Sequence, residues 1–285
     1  MAPTLRPATY SATKHYLGSS FEPLHSVSVH TLSRRQITAR VTDIAQSAGP
    51  VAAARPRSAL SAMFNWAIGE GIEIVANPVF GSNRPAQPAS RERVLTSEEL
   101  KAVWRACADD DHGRIIRLLM LTAQRRGEVG GMRRSELNLS GTWEVGGALQ
   151  GTGMWTLPAQ RTKNAREHAV PLIGAALALL PPRRAGTDLV FGSGRNGFVN
   201  WGKAKAELDD RVGEGVASWV VHDLRRSVAT GLADLGVLPH IIEAVLNHVS
   251  GHKSGVAGVY NRARYAPEVR DALAKWSEHL SAIVA

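Results

Sequence analysis

The chain has 285 residues, 44% apolar and 21% charged, and its 34 Lys+Arg against 25 Asp+Glu leave a formal charge of +9. Such a composition builds a real core and excludes global disorder, and the length fits about two domains of roughly 150 residues. The longest apolar runs, residues 115–122 and 175–180, fall far short of the ~20 residues a membrane helix needs. The opening MAPTLRPATYSATKHYLG lacks the apolar core of roughly 7–15 residues that marks a secretory signal, so a cytoplasmic location is expected. The single cysteine, Cys107, excludes an internal disulfide and reads as a buried structural thiol within a helix. A basic balance on such a chain points to an anionic partner, of which nucleic acid is the commonest large one.

In chain order, residues 1–80 carry three helical patterns at i, i+3, i+4 spacing: Tyr10, Lys14 and Leu17; Ile37, Val41 and Ile44; and Leu60, Met63, Phe64, Ala67 and Ile68. They predict a small helical domain whose basic residues, among them Arg34, Arg35, Arg55 and Arg57, face only Glu22, Asp43, Glu70 and Glu73. Residues 81–94, beginning GSNRPAQPASRER, read as a solvated basic linker. A second domain is expected over 95–285. It opens on Thr96-Ser97-Glu98-Glu99, a capping-box signature for a helix from Ser97 to Ala108. Another helix is expected around Ile115–Thr122. Two short strands, Met154–Pro158 and Glu167–Leu172, bracket a hairpin turn at Thr162–Arg166. Helices return over Asn200–Leu208, His222–Leu235, Leu238–Val245 and Pro267–Ile283. The fold class is therefore mainly α with a small antiparallel β-sheet.

Nucleotide-binding glycine signatures, a P-loop lysine and clustered metal ligands are absent from the sequence. A dispersed set of cations and one tyrosine stands out: Arg125, followed by Arg126-Gly127-Glu128; Lys163 at the hairpin tip; His222 and Arg225, which share one helix face; His248; and Tyr260. Each alone has an ordinary reading, as a solvated cation, a helix cap or a half-buried tyrosine.

In their order, these residues resemble the tyrosine recombinases, the phage-integrase family. LTAQRRGEVGGMRRSEL is similar to that family's first arginine box, RTKNAREHAVPL to its lysine hairpin and HDLRRSVATGLADLG to its second box. VLNHVSGHKSGVAGVYNR is similar to the last histidine and the nucleophilic tyrosine, in the form seen in integrases of satellite phages and genomic islands. Residues 1–80 resemble the core-binding domain. Three departures stand out. Gln124 replaces a common aliphatic residue, which is expected to be harmless because Arg125 and Glu128 are intact. The spacing from His248 to Tyr260 is long. Many members also carry an arm-binding domain ahead of the core-binding segment, so this chain is either a fragment or does without distant arm sites.

The resemblance implies a site-specific recombinase that cleaves and rejoins DNA through a 3′-phosphotyrosine, integrating or excising a mobile element. Tyr260 is then the nucleophile. Arg125 and Arg225 stabilise the non-bridging oxygens, His222 and His248 donate hydrogen bonds or move protons, and Lys163 protonates the departing 5′-oxygen. Tyr265, before Ala-Pro at a helix start, reads as a packing residue. Arg34, Arg35, Arg55, Arg57, Arg126, Arg226 and Arg262 are expected to contact DNA, mostly at phosphates. Neither metal nor any other cofactor is expected. Implied partners are double-stranded DNA with attachment or core sites, and copies of the chain forming a homotetramer on DNA from protein that can be monomeric when free. A directionality factor and a host DNA-bending protein are compatible accessories; a membrane is not, and a nucleoid-associated location follows. Leu273, Trp276, Leu280 and Ile283 recur near helical spacing in the last segment, which docks either on a neighbouring protomer, as the resemblance suggests, or on its own domain. The competing readings are a type IB topoisomerase and a DNA-binding protein that has lost catalysis.

Overall fold

The computed structural model describes residues 5–86, 91–145, 148–248 and 265–285. The chain divides into two compact units, Met1–Arg91 and Glu92–Ala285. In the first, α1 (Pro7–His15) runs into a π-helical turn, Tyr16–Ser20, and is followed by α2 (Arg34–Ala48) and α3 (Pro50–Gly69). A capping box between Ser33 and Gln36 starts α2, satisfying donors that a helix N-terminus leaves open. Gly49, at φ 89°, makes the corner between α2 and α3, a conformation costly for any residue with a Cβ. Ile37, Val41 and Ile44 of α2 pack on Leu60 and Phe64 of α3, with Phe21 and Val79 closing the core.

Residues 81–86 of the stretch expected to form a linker lie within this unit. Arg57 donates from Nε to Ser82 Oγ at 3.1 Å and from Nη2 to the carbonyls of Val79 and Ser82 at 3.1 and 2.9 Å. Those bonds fold residues 79–82 back onto α3 and bury Ser82.

The second unit begins with α4 (Ser97–Ala106), where Thr96 and Glu99 form the expected capping box. Then come α5 (Asp111–Thr122), the short α6 (Arg126–Gly130), strands β1 (Leu137–Val145), β2 (Ala148–Leu157) and β3 (His168–Leu172), and α7 (Gly174–Ala178). The remaining helices among the described residues are α8 (Trp201–Val212), α9 (Val221–Asp234), α10 (Pro239–Val245) and α11 (Ala266–Val284). The sheet is antiparallel in the order β1-β2-β3, with Trp155 opposite Val170 and Leu157 opposite His168. β1 is the element the sequence pattern passes over. LNLSGTWEV has little β-branched content and a register break between Asn138 and Gly141, so pairing with β2 makes it a strand where intrinsic propensity does not.

Helix α5 is the centre of the second unit. Ile115, Ile116, Leu118, Leu119 and Met120 are all buried, as expected of a helix covered on several sides. Cys107 is buried beside it, and desolvation pushes its thiol up to about 12, which makes it inert at neutral pH.

The last helix packs on its own unit. Val269, Leu273, Trp276 and Leu280 are buried, and the Trp276 indole donates to the Met120 carbonyl at 2.6 Å. Gly231 of α9 lies flat under that indole, where an added Cβ would stand 2.3 Å from the ring. No described helix is long and apolar enough to cross a membrane. A Gly231→Val substitution is expected to destabilise the protein by about 1–3 kcal/mol by overpacking, and Trp276→Ala by about 3–5 kcal/mol through cavity formation, both read as urea-unfolding midpoints. Wild-type midpoints in both variants would show that α11 is not part of this core.

Candidate active site

The site forms where α10 ends. A helix leaves its last four carbonyls without intrahelical partners, and here the chain satisfies them in two ways. Asn247 turns left-handed at φ 47°, a conformation Asn tolerates better than most residues. The Asn247 and His248 amides then donate back to Ala244 and Glu243 at 3.1 and 3.0 Å, the pattern of a Schellman cap. The next three carbonyls, those of Val245, Leu246 and Asn247, each receive a side chain from a different part of the chain. Gln124 Nε2 donates to Val245 at 2.9 Å, Arg225 Nη2 donates to Leu246, and Asn164 Nδ2 donates to Asn247 at 3.0 Å.

Each donor adjoins, or is itself, a residue singled out from sequence. Arg125 follows Gln124. Helix α5 stops because Ala123 adopts φ 56°, and this bend sends Gln124 into the interior, where it is 1% exposed and also donates to Thr122 O at 2.7 Å. Arg125 then caps α6: the buried Glu128 accepts its backbone amide at 3.1 Å and its guanidinium at 3.0 Å. The Arg-x-x-Glu spacing therefore aims Arg125 by one carboxylate. Arg225 is 4% exposed on α9. Besides Leu246, it donates from Nη1 to the Ala123 carbonyl at 2.5 Å, so it joins the ends of α5 and α10. A guanidinium carries five N–H donors, and these two bonds are the ones Arg225 makes among the described residues.

Lys163 is exposed on the 158–167 connection between β2 and β3. Three neighbours shape that connection. Thr162 is buried, its hydroxyl accepting from the Arg166 amide at 3.0 Å. Arg161 pairs with Glu136 and donates to the Glu128 carbonyl at 2.8 Å. Asn164 reaches the α10 turn. Sequence reasoning passed over Arg161 and Asn164, and gave Gln124 no role of its own. The signal for Gln124 was present, since a long amide just before a buried helix end needs partners that an aliphatic residue does not.

Four cations and two imidazoles thus share one region. Burial, followed by the charge of Arg125, lowers Arg225 to about 10, so it stays cationic at neutral pH. His222 is pulled below the ordinary imidazole range by desolvation and then by Arg226 and Arg225; His248 is lowered by desolvation and then by Arg225 and Arg125, with a smaller share from Lys163. Both rings are accordingly neutral at pH 7, and each can donate one hydrogen bond while still accepting a proton.

Of the residues expected at DNA, Arg34, Arg35, Arg55 and Arg126 are exposed, the last with its guanidinium 4.9 Å from the Trp201 ring centre. Arg55 and Arg57 line a groove of about 880 Å³ in the first unit with Thr9, Tyr16, Asn65 and Arg84. Arg57 is turned inward on Ser82, and Arg226 pairs with the buried Asp223 at 2.5 Å. Tyr260 and Arg262 lie outside the described residues. Tyr265 caps α11 with its ring 5.0 Å from that of His240.

Two consequences are measurable. Gln124→Leu leaves the Val245 carbonyl without that donor, an expected loss of about 1–3 kcal/mol, and an unchanged urea midpoint would refute the tie. His222, His248 and the buried His112, which desolvation also lowers, all bind protons more weakly when folded. Below about pH 6.5 the unfolded chain therefore binds more protons than the folded one, and stability falls as pH drops. The urea midpoint is expected to decline from pH 7 to 5, and to decline less in a His222→Gln, His248→Gln variant; equal slopes would contradict the assigned shifts.

A model of the phage integrase family matches residues 93–266. The prophage integrase IntA of Escherichia coli (strain K12) is 36% identical over 133 residues, 45% of this chain and 31% of the relative. The prophage integrase IntZ of the same organism is 32% identical over 181 residues, 60% of this chain and 40% of the relative. The chain thus spans well under half the length of either. Among solved structures, a lambda integrase (75-356) dimer bound to a COC′ core site gives a TM-score of 0.61 at 18% identity, covering 87% of this chain and 90% of that one. The XerH site-specific recombinase bound to its difH substrate gives 0.59 at 16% identity, covering 85% and 74%. These structural likenesses are likenesses of fold, and with the family match they lead to one conclusion: the chain belongs to the phage integrase family.

Proposed function

We propose that this chain is a site-specific DNA recombinase that cleaves and rejoins double-stranded DNA through a 3′-phosphotyrosine at Tyr260. The observation that carries the reading is the convergence of the Arg125, Lys163 and Arg225 segments on the turn that precedes His248. Separate stretches of sequence there bring positive charge and neutral imidazole together, a combination suited to a phosphodiester.

In the cleavage step the Tyr260 oxygen attacks phosphorus, the bond to the 5′-oxygen breaks, and the 3′-phosphate remains on the tyrosine. Arg125 and Arg225 hold the non-bridging oxygens, on which charge grows in the pentacoordinate transition state. His222 and His248 donate to the same oxygens or take the tyrosine proton. Lys163 supplies a proton to the departing 5′-oxygen. Attack by a 5′-hydroxyl on the phosphotyrosine reverses these steps and reseals the strand, so the bond energy is retained and ATP is not consumed. Guanidinium and ammonium groups supply the positive charge, and cleavage is expected to persist when divalent metals are chelated.

The first unit, with residues 1–80 as a core-type DNA-binding domain, adds cations at Arg34, Arg35 and Arg55, while 95–285 is the catalytic domain. Exchange between two duplexes needs four strand cuts, so four copies assemble on DNA and the protein works in association with it. Directionality and DNA-bending factors suit such an assembly.

Covalent capture of nicked duplex DNA tests the reading. Tyr260→Phe is expected to abolish the adduct; Tyr265→Phe is expected to keep it, because that ring packs on His240. An adduct that survives in Tyr260→Phe would reassign the nucleophile, and strand relaxation without exchange would favour a topoisomerase. Removing a general acid slows a reaction by something like 10²–10⁴-fold. Lys163→Ala is expected to show that loss on ordinary DNA and to recover on DNA with sulfur at the 5′-bridging position, since a thiolate leaves without a proton. Arg125→Ala and Arg225→Ala are expected to stay slow on both.

A further inference from the structure

The hairpin that carries Lys163 and the turn that carries His248 are joined by a pair of carboxamides. Asn164 follows Lys163 directly, and Asn247 precedes His248 directly. Asn164 Nδ2 donates to the Asn247 carbonyl at 3.0 Å and to Asn247 Oδ1 at 2.8 Å, and Asn247 Nδ2 approaches Asn164 Oδ1 at 3.5 Å. A primary amide has two N–H donors, so both donations are made together. Asn164 Oδ1 also accepts the Arg166 backbone amide at 3.2 Å, which orients the carboxamide from within its own hairpin. Both residues are half-buried, whereas Lys163 is exposed.

The carboxamide pair joins elements far apart in the chain. Their sequence separation is 83 residues, while other bonds of the 161–166 segment run to its own backbone, to Glu136 and to the Glu128 carbonyl. The left-handed conformation of Asn247, φ 47°, sets both its carbonyl and its side chain where Asn164 meets them. The Lys163 ammonium is close enough to be among the charges that lower His248.

We infer that Asn164 and Asn247 are positioning residues: their paired carboxamides latch the Lys163 hairpin against the His248 turn in the DNA-free protein, so that lysine and histidine approach the phosphate as one preset unit. The inference rests on the reading of Lys163 as the general acid. Without the latch, the hairpin samples open positions and Lys163 reaches the 5′-oxygen in only a fraction of encounters. The other groups keep their places, because Gln124 and Arg225 still hold the Val245 and Leu246 carbonyls.

The test uses the full chain, with a nicked duplex selected from a random pool by covalent capture on the wild-type protein, made with oxygen or sulfur at the 5′-bridging position. Asn164→Ala is expected to speed amide hydrogen exchange over residues 159–167 and to slow cleavage of the oxygen duplex by roughly 10-fold. On the sulfur duplex its rate should match wild type, as Lys163→Ala, run in parallel, also should. Asn247→Gly keeps the left-handed backbone and the carbonyl acceptor, so a smaller loss is expected, with the double variant no slower than Asn164→Ala. Unchanged exchange in the hairpin overturns the latch. Equal slowing on both duplexes assigns Asn164 to folding and overturns the positioning role. A Lys163→Ala variant that sulfur does not rescue overturns the acid assignment and the positioning role together, while a wild-type chain that captures no duplex overturns the recombinase reading itself.

Discussion

The site depends on the unpaired carbonyls at the end of α10. A buried guanidinium such as Arg225 is costly unless its N–H groups find acceptors, and a helix C-terminus presents acceptors at the negative end of its dipole. Arg225 and the 245–247 turn therefore stabilise one another: the turn offers Leu246, and the bend at Ala123 offers a second carbonyl from α5. Satisfying a helix end and assembling the proposed anion site are here the same set of bonds. Substituting either partner leaves a buried polar group exposed to the penalty the pairing removes.

Around this centre the charges are unequally balanced. Glu128, the buried carboxylate beside Arg125, accepts both its backbone amide and its guanidinium, and so acts mainly on direction. Arg225 has two backbone carbonyls in place of an acid. Asp223 pairs with Arg226, one helical turn from His222. Desolvation, and after it the excess positive charge, depresses both histidines, which gives the site neutral imidazoles beside permanent cations. Under the proposed reading, a phosphate would meet guanidiniums already oriented by their own carbonyl and carboxylate acceptors, so little reorganisation would be needed as negative charge grows on its oxygens.

The scaffold behind the site is a chain of contacts between elements distant in sequence. Arg161 links the lysine hairpin to Glu136 and to the α6 backbone, and Trp155 of β2 donates to the same Glu136 at 3.0 Å. Ser227 of α9 accepts the Leu95 amide at 2.8 Å while donating to Asp223, which fixes the start of the second unit to the helix that carries Arg225. Helix α11 closes the far side of α5 with Trp276. Its apolar face is occupied within its own unit, which favours the second of the two docking modes its sequence pattern allows.

Local and periodic features were legible in the sequence. The Thr96 capping box, the Ile37, Val41 and Ile44 stripe, the hairpin around Lys163, and the order of the arginine, lysine and histidine segments all depend on neighbours within a few residues or on motifs written contiguously. Features created by pairing across long separations were not legible. β1 has little β-branched content, and its pairing with β2 completes it as a strand. The inward turns of Arg57 and Arg226 follow from Ser82 and Asp223, and a basic residue's sequence context does not reveal whether its charge faces solvent. Gln124 and Val245 lie 121 residues apart and Asn164 and Asn247 lie 83 apart. Sequence alone determined which residues carry the charge and in what order; only the tertiary structure decided which carbonyls hold them in place, because a carbonyl is common to every residue and becomes a specific partner only when the fold leaves it unpaired.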